Sequence, residues 1–488
     1  MHHVLASPAR LEEGNSSVPR VVRAWGWPWI TNIVLCIGLA GLTGCASVPQ
    51  INQRIGPSAA AAGEKPDIVG ARGPLTAQQS KALLGRISTE PGDAGLLQRH
   101  MAIEEAVAEN PLITGNRTKL LRDGPAAFRA MFSAIQGATK FINLEYYIFE
   151  DVESDGIHLG DLLVAKREAG VAVNVIYDSY GSSATPDAFF ERLKKAGINV
   201  IEFNPTNPFE SIVGYSPNQR DHRKILIVDG VTAIVGGVNL SATYESNPFG
   251  SRAPGGKPDE HWRDTDLEID GPVVAQLERL FLDTWSKQKG APISEADMFP
   301  AVPADGTAVV RIVGSTPDNS VPRYYVTLLS AVRNAEKSVL ITAAYFVPTE
   351  QEMADLTGAA RRGIDVRLLL PDTSDSGMSI SVAHSHYTEL LEAGVKIYET
   401  HGLVLHSKTV VVDGVWSIVG SSNFDHRSVI FNDEVDAVVL GSETAGEMEA
   451  MFNDDQRGAK PVDLAAWKDR PLFQRLEENF ATVWENML

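Results

Sequence analysis

The stretch HRKILIVDGVTAIVGGVN at residues 222–239 recurs as HSKTVVVDGVWSIVGSSN at 406–423. Both read His-x-Lys-x4-Asp-x6-Gly-(Gly/Ser)-x-Asn. The first comprises His222, Lys224, Asp229, Gly236, Gly237 and Asn239, the second His406, Lys408, Asp413, Gly420, Ser421 and Asn423. The run after each His is strand-like, and on a strand residues i and i+2 share a face. Each His therefore emerges beside its Lys, next to the end of a buried strand. Gly after the second apolar run allows close backbone approach to a ligand.

Similarity extends outward from the motif. Residues 126–149 match 324–346, 166–178 match 360–372, and 193–203 match 390–400. Each half runs amphipathic helix, apolar strand, helix, apolar strand. Short strands bounded by Gly and apolar on both faces are expected to be buried and parallel. The fold class is α/β: two tandem α/β sandwich lobes forming a pseudo-twofold dimer within one chain. The expected lobes are 126–290 and 291–488, the latter with C-terminal helices, after a helical lead-in over 76–125. Gly197 to His222 spans 25 residues where Gly394 to His406 spans 12, and Asn239 to Asp264 spans 25 where Asn423 to Glu434 spans 11. The first half thus carries insertions at 204–220 and 240–260. Phe203, Phe209, Ile212, Val213 and Tyr215 make the first unusually apolar. The insertions are expected either to cover the site and dip toward a bilayer or to pack against the other lobe.

The chain has 488 residues, 44% of them hydrophobic, which excludes a wholly disordered protein. Its 43 Lys+Arg against 62 Asp+Glu give a charge of −19, which argues against nucleic acid as a partner. Cys36 and Cys45 are the two cysteines, so residues 46–488 hold none. A disulfide scaffold, a zinc–thiolate site and an iron–sulfur cluster are excluded there.

Arg20 and Arg23 precede an uncharged apolar run over 24–44 that ends in Leu42-Thr43-Gly44-Cys45. This resembles a bacterial lipoprotein signal. The resemblance implies removal of 1–44, acylation of Cys45 and a flexible tether over 45–75. Ala46 resembles the default outer-membrane destination, with the body facing the periplasm. An uncleaved transmembrane anchor is the alternative, since about 20 apolar residues can span a bilayer.

The paired motifs resemble those of the phospholipase D superfamily over about residues 110–456. GNRTKLLRDG (115–124), INLEYYIFED (142–151), AYFVP (344–348) and GSSNFDHRSVIFNDEV (420–435) are similar to bacterial cardiolipin synthases in particular. The resemblance implies phosphatidyl transfer between phospholipids, with phosphatidylglycerol as donor and acceptor. His222 would be the nucleophile and His406 the general acid/base; near symmetry leaves the reverse open. Two imidazoles can act in sequence through a phosphohistidine. Lys224, Lys408, Asn239 and Asn423 would bind phosphate. Asp264 and Glu434, in matching contexts downstream, would orient the histidines. Asp229 and Asp413 belong to the motif set, with a bracing role. No metal and no cofactor is implied. Such synthases usually carry transmembrane helices, whereas this chain carries a lipoprotein-like signal. A phospholipase D hydrolase shares the motif and stays open, as does a nuclease or a non-catalytic membrane-binding protein.

Other residues have blander readings. His384 and His386 lie on a helix with no carboxylate or cysteine framework for metal. His261 is read mainly as surface, and Tyr146, Tyr147, Tyr345 and Phe346 mainly as core, although the superfamily places such tyrosines near its site.

Overall fold

The structure is a computed structural model that describes residues 68–70, 73–88, 93–105, 110–209, 216–245, 261–319 and 321–483. The expected leader, Cys45 and most of the expected tether lie outside the described residues, as do 210–215 and 246–260 of the two insertions. The elements below all belong to one compact unit, Val48–Leu488.

The first lobe contains strands β1 (Leu112–Arg122), β2 (Phe141–Tyr146), β3 (Ala172–Asp178), β4 (Asn199–Phe203), β5 (Lys224–Val228), β6 (Thr232–Gly236) and β7 (Thr265–Asp270). They pair in the order β1–β7–β6–β5–β2–β3–β4. The second lobe repeats this with β8 (Ala308–Ser315), β9 (Ser338–Thr342), β10 (Asp365–Pro371), β11 (Lys396–Thr400), β12 (Thr409–Val412), β13 (Trp416–Gly420) and β14 (Asn432–Leu440). Their order is β8–β14–β13–β12–β9–β10–β11. Strand β1 is long enough to join both sheets, pairing with β7 through 117–122 and with β8 through 113–116.

Two expectations are corrected. Among the seven strands named in each lobe, β2–β3–β4 and β9–β10–β11 are parallel and the other pairings are antiparallel. The reason lies inside the motif. Asp229 and Gly230 have φ of 53° and 66°, Asp413 and Gly414 of 57° and 67°. Val231 N–H donates to Val228 C=O, and Val415 N–H to Val412 C=O. Each Asp-Gly pair is a primed hairpin turn, and so short a link cannot make a parallel crossover. The stretch 76–125 is also not all helical. Helices cover Ala77–Ile87 and Asp93–Glu105, but Leu112–Arg122 is the strand that opens the first sheet.

Period-2 alternation builds three cores. Leu226, Val228 and Ile234 face the first lobe's outer core, and Val410, Val412 and Ile418 that of the second. Ile225, Ile227 and Val235 point the other way and meet Val411, Val419 and Val435 in one core shared by the lobes. This shared core fixes where the two motifs come together.

Asp229 and Asp413, expected with the catalytic set, sit at the far end of the motif strand, roughly 16 Å from its Lys at about 3.3 Å per residue. Their carboxylates brace the chain instead. Asp229 accepts N–H bonds from Thr139, Lys140 and Phe141, and Asp413 from Glu336, Lys337 and Ser338. Asp413→Ala is therefore expected to lower unfolding stability by about 3 kcal/mol, through lost bonds to a buried charged acceptor. Asp229 is more exposed and costs less. Urea denaturation of both variants checks the order, and turnover per folded molecule should persist in each.

Candidate active site

Two very short parallel pairings between the lobes build the site. Arg220–Asp221 pairs with Asn432–Asp433, and Trp262–Arg263 with Val404–Leu405. The next residue on each partner is a motif histidine or a carboxylate. The register thus sets His222 beside Glu434 and His406 beside Asp264, each pair crossing between lobes. Backbone bonds continue the ladder: His222 N–H donates to Asp433 C=O at 2.9 Å and His406 N–H to Arg263 C=O at 2.8 Å.

The side chains complete the pairs. His222 Nδ1 lies 3.0 Å from Glu434 Oε2, and His406 Nδ1 2.7 Å from Asp264 Oδ2. With Nδ1–H donated to carboxylate, each Nε2 is turned away from its carboxylate, that of His406 lying 3.0 Å from Lys408 Nζ. Glu434 is further held by Ser421 Oγ at 2.5 Å, Ser428 Oγ at 2.8 Å and Asn432 Nδ2 at 3.2 Å. Asp264 has a different setting. A Cβ on Gly237 would lie 2.1 Å from its Oδ1, so the shorter carboxylate fills the space that Ser421 occupies in the other half.

Both histidines line a cavity of about 500 Å³. Asn239 and Asn423 line it as well, and the buried Oδ1 of Asn423 has no hydrogen-bond partner. Lys224 and Lys408 sit immediately behind, each donating to the carbonyl of its own motif histidine.

Several aromatic residues belong to the site. Tyr147 packs edge-on against His222, with ring centres 5.1 Å apart, and Tyr345 against His406 at 5.8 Å. Both line the cavity, which corrects their reading as core. Tyr146 and Phe346 are core. Tyr244 Oη stands 2.9 Å from His406 Nδ1, and the Trp262 ring centre is 5.0 Å from that of His406. Nothing in the sequence pattern singled out Tyr244, because it reaches the other lobe's histidine from within an insertion. Arg220, Asp375 and Arg427 also line the cavity, brought there by the packing of the lobes rather than by any local motif. His384 pairs with Glu399 and packs on Tyr387 and Trp467, away from the cavity.

The family model described as "Cardiolipin synthase, PLD-like domain" matches residues 131–248 and 328–456. A cardiolipin synthase of Alkalihalophilus pseudofirmus is 32% identical over 385 residues, covering 78% of this chain and 74% of the relative. One of Geobacillus thermodenitrificans is 33% identical over 416 residues, covering 84% and 79%. The chain belongs to this phospholipase D-like family. Its fold is shared with the phosphatidylserine synthase of Haemophilus influenzae, at a TM-score of 0.57 and 14% identity over 80% of this chain and 98% of that one.

Electrostatics of this phospholipase D-like site follow from burial. Desolvation holds the His222 imidazole down to about 4, against the upward pull of Glu434. His406 is lowered as well, first by burial and then by the Lys408 charge. Burial also lowers Lys224 to about 7 and Lys408 to about 8. Glu434 would be raised by burial, but His222 and Lys224 hold it below its ordinary value. The empty site thus tends to shed protons, and an anionic phosphodiester would restore them to the lysines.

Two outcomes follow. The alkaline limb of kcat/KM, which reports the free protein, should fall near pH 7 as Lys224 deprotonates, while the limb of kcat should lie higher because bound phosphate stabilises both ammonium groups. Coincident limbs in the two profiles would contradict this. Gly237→Ala should displace Asp264 and lower kcat by about 10²-fold, the scale of a misplaced catalytic group; an unchanged kcat in a folded variant would show that Asp264 does not position His406.

Proposed function

We propose that this chain transfers a phosphatidyl group between two phosphatidylglycerol molecules, giving cardiolipin and glycerol. One observation carries the reading: two buried imidazoles, each held at Nδ1 by a carboxylate from the other lobe, face one cavity. The similarity to proteins named cardiolipin synthase supports the substrate class.

His222 Nε2 attacks phosphorus, and the bond to the headgroup oxygen breaks. His406, protonated at Nε2 as imidazolium once the anionic phosphodiester is bound, gives that oxygen its Nε2 proton and glycerol leaves. The headgroup hydroxyl of a second phosphatidylglycerol then enters. His406 takes its proton, its oxygen attacks phosphorus, and the N–P bond breaks to free His222. Lys224, Lys408, Asn239 and Asn423 hold the phosphate oxygens as charge shifts between the in-line groups. Two ammonium groups supply the positive charge, so the reaction needs no divalent ion.

Among the described residues no helix is long and apolar enough to cross a membrane. The proposed attachment is lipid on Cys45, at an outer membrane and facing the periplasm, in keeping with the LTGC stretch at 42–45. One acyl chain alone holds a protein marginally, and several together hold it stably.

Mass spectrometry of phosphatidylglycerol vesicles incubated with the full chain tests the activity. Cardiolipin and glycerol should form in equal amounts, with excess chelator present. His406→Ala should lower the rate by at least about 10³-fold. Phosphatidic acid in place of cardiolipin would make the chain a hydrolase, and unchanged lipids would end the reading.

A further inference from the structure

The helix α1 (Leu472–Ala481) near the end of the described chain is amphipathic in an unusual sense: its apolar stripe faces out. Leu472, Phe473, Leu476 and Phe480, with Val483 just beyond, are 58–76% exposed. At 100° per residue these positions fall within an arc of roughly 100°. The opposite side carries the anchoring groups. Ala481 is buried, and Glu478 pairs with Arg470 at 2.5 Å. The helix is therefore seated on the protein by one face while it presents five large apolar side chains on the other. Such contiguous exposure on a folded surface marks an interaction site.

The buried side of the same helix is seated on the wall of the active-site cavity. Ala481 packs with Val382 and Val347, and Val347 lines the cavity. Val382 lies on the helix Gly377–Ala393, where Ser379 also lines the cavity and Met378 is exposed. Tyr180 lines the cavity with 62% of its surface exposed. A cavity of about 500 Å³ fits headgroups and phosphates. It has no room for the acyl chains of two phospholipids, which must stay in a bilayer while the headgroups react.

We propose that the outward stripe of α1, with Met378 and Tyr180, is a membrane-docking surface that sinks into the acyl boundary of a phospholipid bilayer and seats the cavity mouth on it. The proposal rests on the phosphatidyltransferase reading for its substrate. The occupant is a lipid surface because the helix that carries the stripe is seated on the wall of a cavity whose substrate cannot leave the bilayer. The attraction is apolar rather than coulombic, since the chain carries a net charge of −19.

The test uses the full chain carrying Phe473→Asp, Leu476→Asp and Phe480→Asp together, all on the exposed face. Turnover of phosphatidylglycerol in vesicles should fall at least tenfold, while turnover of short-chain phosphatidylglycerol, dispersed as monomers, stays unchanged. In the unsubstituted chain, amides of 472–483 should exchange hydrogen more slowly once vesicles are added. Undiminished vesicle turnover, equal losses on both substrates, or exchange unaffected by vesicles would each overturn the proposal. An unsubstituted chain that turns over neither lipid would refute the transferase reading instead, and the exchange result would then decide the docking surface by itself.

Discussion

Two parallel bridges between the lobes, each only two residues long, carry the whole site. They set Arg220–Asp221 against Asn432–Asp433 and Trp262–Arg263 against Val404–Leu405. Because register on a strand is quantised, the next step on each bridge has to bring a histidine level with a carboxylate of the opposite lobe. Neither lobe alone contains an oriented imidazole. The shared core, where Ile225 and Ile227 meet Val411 and Val435, therefore holds both histidine–carboxylate pairs in place. Slippage at that interface would separate both pairs together.

Symmetry brings the two motifs together, and departures from it give them different roles. Glu434 is ringed by Ser421, Ser428 and Asn432, which suits a carboxylate that must hold His222 in one tautomer. Asp264 sits against Gly237, and its histidine also meets Tyr244 and Trp262 from the first lobe's longer chain. His406 thus has a hydroxyl and an indole at hand that His222 lacks. In the proposed reaction, the richer surroundings would suit His406 as the histidine that gives up a proton and takes it back, and the simpler ones His222 as the histidine that bonds to phosphorus.

Much of this was legible in the residues. The doubled motif and its matching flanks carried the two-lobe α/β architecture, because burial imposes the same apolar periodicity on both copies. The Asp-Gly pairs at 229–230 and 413–414 also spelled out hairpins, yet apolar-on-both-faces strands were taken as parallel. Burial on two faces does not by itself distinguish the pairing directions. Asp229 and Asp413 belong to the motif by spacing, and their distance along the strand together with their backbone N–H partners bears out the bracing role. Which carboxylate serves which histidine depends on how the lobes meet, and no local pattern encodes that. Tyr244 reaches His406 and Arg427 reaches the cavity through tertiary placement, so their neighbours in the chain give no sign of it.

The most direct measurement is rapid quenching of the full chain during turnover, followed by peptide mapping of the acid-labile adduct. A phosphatidyl group attached to His222, appearing before cardiolipin, is the predicted result. An adduct on His406, or product formation with no adduct at any time, would contradict the assignment of His222 as the residue that bonds to phosphorus.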